Sequence, residues 1–93
     1  MNEVHIMDSR EFNKKYAKFI RDCSYGLDIS NKLVIEYLDF LFSSELIKIP
    51  DFKYSQIKLK FGKARFYSQG LSEEERQKIE FDIDKIISEN PDE

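Results

Sequence analysis

Few side chains in this sequence could do chemistry. There is one cysteine, Cys23, and one histidine, His5. A single thiol excludes an intrachain disulfide, and a zinc site needs three or four Cys, His or carboxylate ligands brought together. Cys23 continues an apolar helical stripe, which makes it a small buried hydrophobe rather than a nucleophile. His5 stands among the first few residues, where a chain is loosely held. Glu36 and Asp39 lie three apart amid apolar neighbours. Such a pair could divide acid and base duties if burial separated the two pKa values. More simply, it is the polar strip that lets an apolar helix meet water. No glycine-rich phosphate loop, Gly-x-Ser-x-Gly elbow, His-Glu-x-x-His pair or calcium loop occurs. The residues therefore predict a protein that is not an enzyme, with no catalytic residue, no metal and no cofactor.

What the chain does concentrate is charge. The net charge is −3, but residues 53–71 hold Lys53, Lys58, Lys60, Lys63 and Arg65 with no acid, while residues 72–93 hold three basic and nine acidic side chains. The candidate partner-binding residues are Tyr54, Lys58, Lys60, Lys63, Arg65 and Tyr67. The cations could neutralise phosphates while the tyrosines stack on unpaired bases, as in single-strand binders. They could equally meet an acidic protein surface. Lysines on an exposed strand also block edge-to-edge aggregation, which needs no partner at all. Arg65 could instead pair with an acid of the last helix. On that helix Glu73, Glu74, Glu75, Glu80, Asp82 and Asp84 could imitate phosphates, although favourable dipole charges and a solvated outer face explain them as well.

These residues must be positioned by four elements. Asp8 as N-cap, Glu11 three residues on, and the Met7–Phe12 spacing mark a helix start. Phe12, Tyr16, Phe19, Ile20 and Cys23 continue it on one stripe, and Gly26 is the expected stop. Ser30 is the expected cap of a second helix, so apolar from Leu33 to Phe42 that it should be central. Pro50 ends any continuation. From Gln56 to Gln69 the pattern alternates and predicts a hairpin turning at Gly62-Lys63. Ile57, Leu59, Phe61, Ala64 and Phe66 would face the core, and Lys58, Lys60, Arg65, Tyr67 and Tyr54 the other side. A third strand at residues 46–49 is possible. Ser72 and Glu75 form a capping box for the last helix, with Ile79, Ile83, Ile86 and Ile87 on its buried stripe. The expected fold is a small single α+β domain over residues 1–93, ordered helix–helix–hairpin–helix, with residues 1–7 and 90–93 as loose termini.

The stretch Gln56-Ile57-Lys58-Leu59-Lys60-Phe61-Gly62-Lys63-Ala64-Arg65-Phe66-Tyr67 resembles a signature of small bacterial and phage proteins that reads Gln-Val-Lys-Glu-Lys-Phe-Gly-Gly-Leu-Arg-Phe-Tyr. It matches at Gln56, Lys58, Lys60, Phe61, Gly62, Arg65, Phe66 and Tyr67 and departs at the other four positions, Lys63 and Ala64 among them, and it lacks the cysteine-containing tail many of them carry. The resemblance implies a hairpin and a phage or mobile-element setting, and no activity. With no apolar run near the ~20 residues of a membrane span and no signal-peptide run, a cytoplasmic protein without a membrane partner is expected. The residues thus point to a non-catalytic protein-interaction module, an inhibitor or accessory protein. The alternative is a single-stranded nucleic-acid binder using the basic-aromatic hairpin face.

Overall fold

Local capping starts the chain as its sequence predicts. In a computed structural model describing residues 7–21 and 24–93, the Asp8 carboxylate accepts from the Glu11 N–H at 2.9 Å and opens α1 (Ser9–Lys15). The expectations for His5 and Cys23 fall outside the described residues. The helix does not run on to Gly26. It gives way to a 3-10 turn, Ala17–Phe19, and Ile20 then bridges Tyr54 in parallel. The Arg21 N–H donates to the Tyr54 carbonyl at 2.9 Å, so a strand supplies the bonds that more helix would have made. Phe12 and Tyr16 still reach the core, which is what the stripe encoded.

Gly26 opens β1 (Gly26–Asp28) instead of ending a helix. Its φ of 72° is one reason for glycine there. The second is space. A Cβ would come within 2.5 Å of the Asn13 Oδ1, and that amide is fully engaged. The Leu27 N–H donates to Asn13 Oδ1 at 2.7 Å, and Asn13 Nδ2 donates to the Leu27 carbonyl at 3.1 Å. One side chain on α1 therefore closes the outer edge of β1 as a neighbouring strand would.

α2 (Lys32–Ser44) is capped by Asn31 rather than Ser30, its Oδ1 accepting from the Leu33 and Val34 N–H groups. The Asn31 Nδ2 donates to the Asn90 carbonyl at 2.9 Å, and the Lys32 N–H to the Glu93 carbonyl at 3.2 Å. Residues 90–93, expected to be loose, thus carry bonds to the start of α2. The helix is central as its composition implies. The Phe42 ring lies 5.0–6.3 Å from those of Phe12, Tyr16, Phe52, Tyr54 and Phe66, within the range of favourable aromatic pairs.

Residues 46–48 form a 3-10 turn and not a strand. The hairpin is β2 (Lys53–Lys60) and β3 (Lys63–Gln69), and the third strand is β1, parallel to β2, giving the order β1-β2-β3. α3 (Glu73–Glu89) carries the predicted capping box, with Ile79 and Ile83 buried. The product is a small α+β domain whose sheet buries Tyr54, Ile57, Ala64 and Phe66 under the helices.

Candidate docking surface

The hairpin turns one residue earlier than its sequence suggests. Lys60 pairs with Lys63, Lys58 with Arg65 and Ile57 with Phe66, so the loop is Phe61-Gly62. Both have positive φ, 54° and 77°, the type I′ geometry that suits the twist of a two-residue hairpin. Relative to the expected register each residue meets a partner two places away. Because side chains alternate with period two, that slip leaves most of them on their predicted face. Two residues expected in the core are exposed: Leu59, near the end of β2, at 42%, and, further out, Phe61. The latter is at the tip and 93% exposed.

Tyr54 is a second correction. An irregularity between Tyr54 and Gln56 shifts the alternation by one and turns Tyr54 inward. It is fully buried, stacked near Phe52, with its hydroxyl 3.4 Å from Asn13 Oδ1. Burial pushes its phenol well above the ordinary value, with the neighbouring Tyr16 adding to the rise. It takes no part in an outer face.

The remaining five residues are brought together. Lys58 stands directly opposite Arg65, and Lys60 opposite Lys63, like-charge pairs that oppose folding. The Lys58 ammonium lies 5.8 Å from the Tyr67 ring and that of Lys60 5.9 Å from the Phe61 ring, distances at which a cation is attracted to a ring face. Among the described residues none of these four cations, Arg65 included, has an ion pair within 4.0 Å. Asp28 is the neighbour of Lys58 in the parallel register. Beside the helix-covered face, this one presents four cations against that single neighbouring carboxylate.

The acids of α3 have structural work instead. Asp84 accepts from the Ala64 N–H at 2.7 Å and Glu80 from the Phe66 N–H at 2.8 Å. The geometry follows from two repeats. Four helical residues rise about 6 Å and two strand residues about 6.7 Å, so side chains four apart on α3 meet N–H groups two apart on β3. Asp82 accepts from the Tyr37 hydroxyl at 2.8 Å and from Lys78 at 3.2 Å. The carboxylate pair on α2 is divided too. Asp39 accepts from the Tyr16 hydroxyl and from Lys15, whereas Glu36 is exposed. Burial alone would raise the Asp39 carboxyl, but the bonds from Lys15 and Tyr16 outweigh it and hold the group below the ordinary 3.8. The tie that results is one between helices.

Among the described residues no three His, Cys, Asp or Glu side chains are grouped to hold a metal, and no helix is long and apolar enough to cross a membrane. Phe61, like Tyr54 and Leu59, lies where the sequence pattern did not put it. Its signal was available in Lys60-Phe61-Gly62-Lys63, where a turn centred on Phe61-Gly62 sorts the strand faces as well as one centred on Gly62-Lys63. Compared with family models, with curated proteins and with solved structures, the chain finds no match.

Proposed function

We propose that this protein is a small non-catalytic interaction module that docks onto a partner protein through its hairpin. The observation that carries the reading is Phe61. A bulky residue at positive φ is disfavoured, and the same position accepts Asn with little strain. Here a phenylalanine occupies it, almost wholly exposed, bracketed by the opposed Lys60 and Lys63. Strain, apolar exposure and like-charge repulsion at one tip all oppose folding of the free chain. The exposure and the repulsion would be relieved by an apolar pocket with an acidic rim, to which the strained turn presents the ring. The resemblance of residues 56–67 to phage and bacterial proteins supports an inhibitor or accessory role in a mobile element.

Burial of Tyr54 counts against single-stranded nucleic acid, since it leaves Tyr67 as the aromatic ring of the outer sheet face, and each stacked base requires its own platform. The test is affinity capture from nuclease-treated native-host lysate with the wild-type chain and Phe61→Asn. A stoichiometric protein that is retained by the wild type and lost with the variant is expected. Equal retention by both, or retention abolished by nuclease, would overturn the reading.

A further inference from the structure

We infer that the end of the sheet far from the hairpin tip carries an oxyanion site for a phosphate group, free or as a monoester. The series of acids that closes the β3 edge breaks there. Asp84 faces Ala64 and Glu80 faces Phe66, so the next pair in the same geometry is residue 76 with Ser68. Strand alternation sends the Ser68 N–H the same way as those of Ala64 and Phe66. Position 76 offers it no carboxylate, only another donor, the guanidinium of Arg76. Around this break lies an open groove of about 500 Å³ lined by Arg21, Ser55, Phe66, Tyr67, Ser68 and Arg76. Its size suits a small ligand.

Its chemistry is one-sided. Two arginines, two serines and a tyrosine line it beside Phe66, with no acidic residue among them, and Glu80 adjoins it through Phe66 and Arg76. The Arg21 main chain is fixed to Tyr54 on the β1 side of β2, whereas Arg76 stands on α3 beside β3. Arg21 and Arg76 therefore stand on opposite banks of the groove, with Ser55 on β2 and Ser68 on β3 between them. Arg76 is held by Glu80 at 2.8 Å and lies 3.9 Å from Glu73, while the Arg21 guanidinium has no ion pair among the described residues. A tetrahedral oxyanion can accept from both banks and from a hydroxyl at once, which is the use to which forked guanidinium donors are best suited.

The test is an amide NMR titration of the intact chain with inorganic phosphate, with chloride holding ionic strength constant. Saturable shifts at Ser55, Tyr67 and Ser68 are expected, and Arg21→Gln should weaken binding about tenfold, as loss of a charge-assisted pair does. Arg76→Gln should weaken it too, with thermal melting confirming that the variant is folded, and Lys48→Gln should change nothing. A nucleoside 5′-monophosphate and phosphoserine are run as further arms. Tighter binding of either than of phosphate identifies the ester it takes, and equal binding identifies the free ion. Shifts that are linear in phosphate, or equal in wild type and Arg21→Gln, would overturn the site. Neither result bears on Phe61, so this site and the hairpin reading fail independently.

Discussion

At the β1 rim the Asn13 amide meets Leu27 as another strand would, giving one hydrogen bond and taking one; at the β3 rim Asp84 and Glu80 take two N–H groups and give nothing back. An amide satisfies both polar groups of an edge residue, but only at close approach, hence the glycine at position 26. A carboxylate can only accept, so it closes half an edge. It does so from two positions four residues apart on α3, with stronger bonds and with charge that needs a counter-ion. Glu80 finds one in Arg76. The sheet thus has one neutral rim that is dense and local, and one charged rim that is spread along α3. Both also keep a strand edge from pairing with another chain.

The largest effect should come from the neutral rim. Asn13→Ala strips both backbone groups of Leu27 at once and should cost about 3 kcal/mol, given about 1–3 kcal/mol for each buried group left unpaired. Urea unfolding measures it, and a loss below about 1 kcal/mol would mean that water replaces the amide. On the charged rim Glu80→Ala should cost about 2 kcal/mol and Glu80→Gln, which keeps an acceptor for Phe66, about 1 kcal/mol. Equal losses would show that charge, and not the hydrogen bond, closes this edge.

The neutral rim nevertheless hangs from an ionisable tie, since α1, which carries Asn13, is held to α2 by Tyr16 and Lys15 on Asp39. A carboxyl depressed in the folded state contributes stability above its unfolded value, and that contribution is lost as pH falls through the folded one. Asp39→Asn should therefore lower stability by about 1 kcal/mol at neutral pH. The difference from wild type should shrink below the ordinary 3.8. Unfolding curves at pH 7 and pH 2.5 compare the two, and an unchanged difference would remove the Asp39 charge from the account. The smallest effect has the opposite sign. Phe61→Asn should raise stability by about 0.5–1 kcal/mol by relieving strain in the turn. A decrease would mean that the Phe61 ring is held by the chain itself.

Much of this architecture is written locally. Ser72 with Glu75, and Asp8 with Glu11, place two helix starts because a cap is a contact over three residues. The alternation of Ile57, Lys58, Leu59 and Lys60 places a strand face for the same reason. What escapes is non-local. The Phe12-Tyr16-Phe19-Ile20 stripe fits a longer helix, and only the pairing of Ile20 with Tyr54, thirty-four residues on, ends it. Gly26-Leu27-Asp28 is too short to read as a strand until β2 and Asn13 stand on either side. Of the candidate site, the cations Lys58, Lys60, Lys63 and Arg65 were legible from alternation. Tyr54 was not, because an irregularity of one residue moves it to the other face, and Arg21 and Arg76 were not, because fifty-five residues separate them in the chain.

The bond from Asn31 to the Asn90 carbonyl also sets an order in time. The β2–β3–α3 segment contacts itself over short separations and can form early, whereas the Asn31 amide donates to a group almost sixty residues downstream. During synthesis the Asn31 Nδ2 donor has no Asn90 carbonyl to meet until residue 90 has cleared the ribosome. The first N–H groups of α2 are capped locally by Asn31 from the outset, and what comes last is the tie that fixes this start to residue 90.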